Sequence, residues 1–432
     1  MESNVLITTA INNLKKKYRD EIPSTVVMGA KGSGKTFLYR ELLRSKSWKR
    51  FCANLDNEML REDDLFFVPV FAPKNAGDLS SLIKGCTESV NNNISISSCG
   101  ALCWMDNESE LAEYVQQMHS VQEWKKFWEK LFVKSVDEQL DSYGTLDEQL
   151  TKMNKRIVFI LDGLEETLQE TNENFSQQRA ISVLCQEVVR DISLRYANLG
   201  VIVFLRKDLA RDSITTNFEQ FSQLYSNVEL KWSRNEALRL ALWLVNQAHK
   251  DFYQEDIPIE MASVEIIERE LQKLWGLKLG KASSNEAYSS RWILAALSDF
   301  NGQLQARDIV RFLEYATDVV GNETYDDRYI MPTEIKNAVP KCSDKKIDEI
   351  KQEIGAIRPI LKKLEATSVE KTLPFTAKTF DLSASEEKIM KDEGYLKIED
   401  GKYYLPEIIR HSLKFKYAKG ARPKVLSLIK DI

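Results

Sequence analysis

The stretch STVVMGAKGSGKTFLYRELL, residues 24–43, decides the fold of the first part of this 432-residue chain. Before its glycines, residues 26–28 form a short apolar run of the kind that makes a buried strand. After them, apolar residues recur at helical spacing over residues 37–43. The stretch therefore predicts a strand, a glycine-rich loop and a helix in direct succession.

The loop itself, GAKGSGKT at residues 29–36, has the glycine and Gly-Lys-Thr spacing of a Walker A pattern. The backbone N–H groups of such a loop wrap a phosphate at the start of a helix. Lys35 would supply a cation for the β- and γ-phosphates, and Thr36 a hydroxyl for Mg²⁺. A glycine turn with a solvated lysine is the alternative, which this spacing and context disfavour. The predicted nucleotide-binding residues are Gly29, Ala30, Lys31, Gly32, Ser33, Gly34, Lys35, Thr36 and Phe37.

A second segment, KRIVFILDGLEE at residues 155–166, places five apolar residues before an aspartate. This pattern predicts a central parallel strand that delivers Asp162 at its carboxyl end, where ligands of open α/β sheets bind. Asp162 is expected to hold Mg²⁺ through water. Glu165 and Glu166 follow within one turn, and either is expected to orient or deprotonate the attacking water. The alternative for both glutamates is a solvated first turn of a helix.

The next predicted unit is a β-α-β crossover. Residues 181–199 have helical spacing, Gly200 is expected to end that helix, and VIVFL at 201–205 predicts another buried strand. Arg206, at the tip of this strand, is expected to sense the γ-phosphate. The alternative role for Arg206 is a salt bridge with Asp208 or Asp212.

Farther along, NVELKW at residues 227–232 predicts one more strand. Ser233 and Glu236 then form a capping box for a helix that extends to about Gln247. Between the loop and the acidic strand, FFVPVFAP at 66–73 predicts a strand. The segment at 121–140 predicts an amphipathic helix with one apolar stripe, expected to pack on its own core rather than on a partner: Trp124, Trp128 and Leu131.

The segments GAKGSGKT, VFILDGLEE, VIVFLRKD and LKWSRNEALRLAL, in this order, resemble the STAND and NACHT-type branch of the AAA+-related P-loop ATPases. The later segment FNGQLQARDIVRFLEYA resembles part of the helical lid of such proteins. The resemblance implies that Arg307 is a second nucleotide sensor. The alternative is that Arg307 pairs with Asp308 or caps a neighbouring helix. It implies ATP and Mg²⁺ as cofactors, with adenine preferred over guanine. It leaves the arginine finger unassigned, with these candidates: Arg190, Arg211 and Arg234.

The C-terminal part has a different character. Residues 331–365 are charged with a helical period, and residues 383–413 predict a helix, a strand, an Asp400-Gly401 turn, a second strand and a helix. This is the outline of a winged helix, a module that AAA+ initiators often carry. Nucleic acid or protein is a possible partner, since the tail is basic and holds several aromatic residues. The residues concerned are Lys402, Tyr403, Tyr404, Arg410, Lys414, Phe415, Lys416, Tyr417, Lys419, Arg422, Lys424 and Lys430.

Composition narrows the possible functions. The formal net charge of −5 provides no global positive field for nonspecific capture of DNA or anionic lipid. An apolar signal-peptide core and a membrane-spanning run are both missing from the sequence, so we expect a cytoplasmic protein with no membrane partner. The histidines flank no nucleophile motif. The cysteines, expected to be buried free thiols, are Cys52, Cys86, Cys99, Cys103, Cys185 and Cys342.

The expected fold class is therefore α/β, a P-loop NTPase parallel sheet with a helical insertion, a helical lid and a C-terminal winged-helix-like domain. We expect an ATPase core at residues 1–232 with the insertion at about 75–150, the lid at 233–330, and a linker with the winged helix at 331–432. By resemblance, the chain is an ATP-hydrolysing switch that controls assembly or a partner effector, as in bacterial anti-phage defence, within a homo-oligomer or a hetero-complex. The alternative is a DNA-engaging initiator or transposition-type ATPase.

Overall fold

The computed structural model describes residues 5–56, 58–59, 63–74, 79–95, 103–168, 174–318, 325–366, 370–419 and 429. The chain divides into two compact units, Met1–Lys231 and Trp232–Ile432. A further division at residue 330 stays a prediction.

The first unit is built on a parallel sheet of four strands: β1 Ser24–Gly29, β2 Leu65–Phe71, β3 Arg156–Leu161 and β4 Leu199–Arg206. Their spatial order is β1-β4-β3-β2, so β4 lies between the glycine-loop strand and the acidic strand. All pairs in the sheet are parallel. The predicted α/β class with a parallel sheet is confirmed. Since the strands share one direction, the loop at Gly29, the aspartate after Leu161 and Arg206 all emerge at the same edge.

Helices cover this sheet and form the insertion. They are α1 Thr9–Lys17, α2 Lys35–Ser45, α3 Trp48–Asp56, α4 Leu79–Asn93, α5 Cys103–Tyr114, α6 Val121–Lys134, α7 Tyr143–Met153, α8 Leu164–Thr167, α9 Phe175–Val183, α10 Val189–Arg195, α11 Lys207–Ser213 and α12 Phe218–Leu224. A π-helical turn, Leu184–Val188, joins α9 to α10, and a 3-10 turn, Ser226–Val228, follows α12.

The insertion packs against its own core, as predicted. Helix α6 begins at a capping box formed by Ser120 and Glu123. Its stripe of Trp124, Trp128 and Leu131 is fully buried. The Trp128 ring meets Phe71 of β2 edge-on at 5.9 Å. The apolar face predicted from spacing therefore joins the central core of the first unit.

Gly200 does not end a helix, as the sequence pattern had suggested. The helix before it already ends at Arg195, and Gly200 lies inside β4. A Cβ atom at Gly200 would lie 2.4 Å from both the Pro23 carbonyl oxygen and the Ile22 side chain. Glycine is therefore required here because the chain entering β1 passes very close to β4, not because a helix terminates.

The strand predicted at residues 227–232 is also wrong. Leu230 donates its N–H to the Met28 carbonyl at 2.8 Å and forms an isolated parallel bridge with Gly29. The residues before it form a 3-10 turn. Val228 and Leu230 are both buried. These side chains belong to the core, but the backbone is extended at too few positions to make a strand.

The second unit is mainly helical. Its helices are α13 Arg234–Ala248, α14 Val264–Trp275, α15 Ser289–Leu297, α16 Ala306–Thr317, α17 Pro332–Glu353, α18 Arg358–Glu365, α19 Ala377–Phe380, α20 Ala384–Asp392 and α21 Glu407–Arg410. The predicted capping box of Ser233 and Glu236 opens α13. None of the helices in the described ranges has both the length and the apolar character to cross a bilayer.

Two small sheets complete this unit. Strands β6 Lys397–Glu399 and β7 Lys402–Tyr404 form the predicted antiparallel hairpin, and β5 Thr372–Leu373 pairs in parallel with β8 Lys416–Tyr417. The hairpin turns at Asp400 and Gly401, both with positive φ, at 50° and 70°. These angles match a type I′ turn, which the Asp-Gly dipeptide favours.

Candidate functional site

The glycine loop connects β1 to α2 without a side-chain cap. Gly32 and Gly34 have φ angles of 78° and 102°, in the left-handed region that glycine adopts without strain. Gly34 is the N-cap residue of α2. A Cβ atom at Gly29 would lie 2.3 Å from the Ser33 Oγ. The loop is therefore wound so tightly that glycine is needed, and it directs the first-turn N–H groups of α2 toward the carboxyl edge of the sheet.

Lys35 turns back into the loop. Its Nζ donates to the carbonyl oxygens of Gly29 at 3.0 Å and Ala30 at 2.9 Å. The side chain is buried. Burial lowers the pKa of Lys35, while the charges of Glu165 and Asp162 act in the opposite direction. A cation with acidic neighbours is thus held at the loop.

Asp162 follows β3 and faces Thr36. Its Oδ2 accepts a hydrogen bond from the Thr36 Oγ at 2.8 Å, and the residue is 1% exposed. Its Oδ1 is buried and has no hydrogen-bond partner among the described residues. Burial, together with the charge of Glu165, raises the pKa of Asp162 to about 7. A bound divalent cation would supply the missing partner and favour the charged carboxylate.

Gly163 fixes the turn after Asp162. Its φ is 85°, and a Cβ atom there would lie 2.7 Å from the Pro73 backbone nitrogen and 2.9 Å from the Ala72 carbonyl carbon. No side chain fits in that gap. The turn that carries the acidic residues therefore lies directly against the chain leaving β2.

Glu165 and Glu166 lie in different surroundings. The Glu165 Oε2 is buried without a hydrogen-bond partner in the described part of the chain. Its charge acts on both Lys35 and Asp162. The Glu166 Oε2, in contrast, accepts the backbone N–H of Lys74 at 2.7 Å. The structure thus places Glu165 with the loop and the aspartate, and Glu166 with the insertion side.

Arg206 pairs in register with Gly29 at the end of β4. Its Nε donates to the Asp208 Oδ1 at 3.1 Å, and a second guanidinium nitrogen contacts the other carboxylate oxygen. Although burial raises the pKa of Asp208, the Arg206 charge holds it below its usual value. The Arg206 charge also acts on Lys35. The salt bridge given as the alternative role is therefore present, and the sensor role stays a prediction.

Arg307 lies in the second unit, in the first turn of α16. It donates to the Glu349 Oε1 at 2.6 Å, an oxygen that also accepts from Arg311 at 2.8 Å. Asp308 is instead paired with Lys346 at 2.8 Å. The alternative pairing of Arg307 with Asp308 is therefore wrong, and its role as a second sensor stays a prediction.

Sequence reasoning missed the residues that support the acidic turn. The Lys74 N–H and the Glu166 carboxylate are 92 residues apart in the chain, and the Glu108 carboxylate and the Thr167 hydroxyl are 59 apart. No motif or period connects such pairs, because the contacts depend on how the insertion returns to the sheet.

The basic C-terminal segment offers fewer ligand groups than its sequence suggests. Arg410 donates two hydrogen bonds to Glu407, at 2.9 and 2.8 Å. The aromatic side chains Tyr403, Tyr404 and Phe415 are buried. Exposed lysines remain at 402, 414, 416 and 419. Arg422, Lys424 and Lys430 lie outside the described residues.

The cysteines within the described ranges form no metal site. Cys86, Cys103, Cys185 and Cys342 are buried, Cys52 is half-buried, and none of these five forms a disulfide. Cys99 lies outside the described residues. Burial raises the pKa of Cys86 and Cys185 to about 12, which keeps these thiols protonated and unreactive.

Comparison with known proteins gives only distant likenesses. No protein-family model and no curated protein matches the chain. Among solved structures, it is similar to the Walker-type ATPase paby2304 of Pyrococcus abyssi, with 11% identity, a TM-score of 0.38, and coverage of 95% of this chain and 97% of that one. It is also similar to the ORC2 protein of Aeropyrum pernix, described with ADPNP and ADP, with 10% identity, a TM-score of 0.29, and coverage of 94% and 92%. Similarity this low leaves the chemistry to be argued from the residues of this chain.

Proposed function

We propose that this chain binds ATP with Mg²⁺ at residues 29–36 and hydrolyses it. The main support is the buried Asp162 carboxylate, which holds the Thr36 hydroxyl at 2.8 Å with one oxygen and keeps the other without a partner in the described residues. The buried Lys35 and the tightly wound loop lie beside it. A metal-bound polyphosphate would place its metal beside the Asp162 carboxylate and its phosphates beside Lys35 and the loop.

Each residue has a distinct part in this proposal. The N–H groups of the loop and the Lys35 ammonium bind the phosphates, and Thr36 with Asp162 holds the metal side, Asp162 through water. Mg²⁺, when bound, neutralises charge that develops on the phosphate oxygens. Glu165 orients and deprotonates the attacking water, since its buried Oε2 has no partner in the described residues and its charge already acts on Lys35 and Asp162.

The biological role is proposed from the resemblance to STAND and NACHT-type ATPases. The nucleotide state would control assembly of this chain or of an effector carried by another chain, as in bacterial anti-phage defence. Adenine is preferred for the same reason. Arg206 and Arg307 would distinguish ATP from ADP by contacting the γ-phosphate, which exists only before hydrolysis.

The first experiment replaces the loop cation. Lys35→Ala should weaken Mg²⁺-ATP binding at least about tenfold and reduce turnover about 100-fold or more, because the charge that faces the phosphates is lost. Binding is measured with a fluorescent ATP analogue and turnover by phosphate release. Lys84→Ala, which removes an exposed lysine paired only weakly with Glu88 at 3.9 Å, is the matched control. Unchanged affinity and turnover in Lys35→Ala would remove the basis of the proposed function.

DNA binding is the second candidate function, and the exposed lysines at 402, 414, 416 and 419 favour it. Against it, Tyr403, Tyr404 and Phe415 are buried and unable to stack on bases. The full chain should be titrated with duplex DNA at several salt concentrations. An affinity that falls steeply with salt and weakens when these lysines are replaced by glutamine would favour the DNA-engaging ATPase over the switch.

A further inference from the structure

We propose that Glu108 is a positioning residue for hydrolysis, one that holds Glu165 in place by anchoring Thr167, at the other end of the same short helix. This inference rests on the proposed function. It assigns to the insertion an indirect part in the reaction: α5, which carries Glu108, sets the position of the acidic turn at residues 162–167.

Glu108 bridges two segments that flank the site. Its Oε1 accepts a hydrogen bond from the Thr167 Oγ at 3.0 Å. The same oxygen lies 2.5 Å from the Lys74 Nζ. Lys74 in turn donates its backbone N–H to Glu166 at 2.7 Å. The Glu108 carboxylate on the insertion thus connects the end of α8 with the chain leaving β2. The same chain is bonded to α8 a second time, through Glu166.

The position of Glu108 is itself fixed by its neighbour. The Asn107 side chain is fully buried and donates to the Val70 carbonyl of β2 at 3.0 Å and to the Ser135 Oγ at 2.9 Å. These bonds hold α5 on β2 and on the end of α6. Glu108, the next residue, therefore projects from a rigid base, which is what a positioning residue requires.

Helix α8 needs such an anchor because it is short. It spans only Leu164–Thr167, four residues, and a single helical turn is unstable without tertiary contacts. Gly163 supports its start through close packing on Pro73. Glu166 and Thr167 supply the side-chain bonds at its end. Loss of the Thr167 bond should let the last residues of α8 fray, and Glu165 would leave the geometry that water activation demands.

Four single variants of the full chain, and one double variant, test this inference. Glu108→Ala removes the acceptor, Thr167→Val removes the donor with little change in shape, and Glu108→Gln keeps an oxygen for Thr167 without the charge. Glu110→Ala is the matched control, because Glu110 lies on the same helix and pairs with Lys130 and Lys134 instead.

The kinetic result expected is a selective loss of kcat. Glu108→Ala and Thr167→Val should each lower kcat about 10- to 100-fold, with nucleotide affinity changed less than about threefold. The double variant should be no worse than either single one, because both remove the same bond. Glu108→Gln and Glu110→Ala should stay within about threefold of the parent. A normal kcat in Glu108→Ala, or a Glu108→Gln variant as impaired as Glu108→Ala, would overturn the inference.

Hydrogen exchange separates failure of this inference from failure of the proposed function. Amides of residues 164–168 should exchange at least about tenfold faster in Glu108→Ala than in the parent. Their exchange rates should be unchanged in Glu110→Ala. If the parent protein does not turn over ATP at all, the proposed function fails, and the exchange rates still show whether Glu108 holds α8. Equal exchange in Glu108→Ala and the parent would refute the anchoring itself.

Discussion

At the scale of single residues, the question is whether Glu165 or Glu166 activates the attacking water. We predict that Glu165→Gln lowers kcat about 100-fold or more while ATP binding is retained, because a water-activating carboxylate acts mainly in the transition state. Glu166→Gln should have a smaller effect, about tenfold or less, since its amide oxygen still accepts the Lys74 N–H. Single-turnover hydrolysis and ATP-trapping assays compare the two. Equal losses in both variants would mean that the base has been misassigned.

The same two residues show what a sequence can and cannot predict at this scale. Spacing predicts that Lys35, Thr36 and Asp162 meet, because parallel strands bring their carboxyl ends to one edge, and the Thr36 hydroxyl does donate to Asp162. Glu165 and Glu166 could not be separated, because adjacent positions on a helix differ by about 100° and the direction of each depends on distant partners. Lys74, whose N–H is bonded to Glu166, and Glu108, which is paired with Lys74, have no local signal in the sequence.

At the scale of elements, continuous apolar runs predicted the sheet well. The runs at 157–161 and 201–205 lie inside strands β3 and β4, and Trp124, Trp128 and Leu131 mark the buried face of α6. The misinterpreted positions have a common cause. Gly200 permits a close approach to Pro23, and Leu230 makes a single bridge to Gly29. Both are tertiary contacts, which the local pattern does not encode.

The short helix α21 carries a buried carboxylate that we expect to make the second unit sensitive to acid. Glu407 is fully buried and contacts Arg410, His411 and Tyr417, the last at 2.5 Å. Burial alone would raise its pKa, but these partners lower it to about 2. Because the folded pKa lies below that of the unfolded chain, the contribution of this carboxylate is present above about pH 4.5 and is lost as pH falls toward 2.

We therefore expect Glu407→Gln to reduce the free energy of unfolding by about 3 kcal/mol at pH 7. At pH 3 this reduction should be smaller by about 2 kcal/mol. Urea unfolding of the full chain at both pH values measures the difference. Glu314→Gln, at an exposed position on α16, is the control. A penalty for Glu407→Gln that is the same at pH 3 as at pH 7 would contradict this assignment.

At the scale of the whole molecule, the switch model requires that the second unit respond to the nucleotide. Arg307 is engaged by Glu349, so a contact with the γ-phosphate would need it to exchange partners. We predict that residues 232–318 are better protected from hydrogen exchange with a slowly hydrolysed ATP analogue than with ADP. The free energy of amide opening should differ between the two nucleotides by about 1 to 3 kcal/mol, the usual size of regulatory coupling.

Arg307→Ala should abolish this difference between the two nucleotides, whereas Arg291→Ala, at an exposed position on α15, should leave it intact. Hydrogen exchange with mass spectrometry measures both variants under saturating nucleotide. A response to the ATP analogue that persists in Arg307→Ala would exclude Arg307 as the sensor and leave Arg206 as the candidate.

The inward hydrogen bonds of the loop have a consequence for which anions it admits. Lys35 is already bonded to the Gly29 and Ala30 carbonyls, and Thr36 to Asp162. Any ligand that recruits Lys35 or Thr36 must exchange these bonds for its own, so its net affinity is smaller than the new bonds alone would give. We therefore expect a metal-bound polyphosphate, which can reach Lys35, Thr36 and Asp162 together, to bind more tightly than a lone phosphate or sulfate ion.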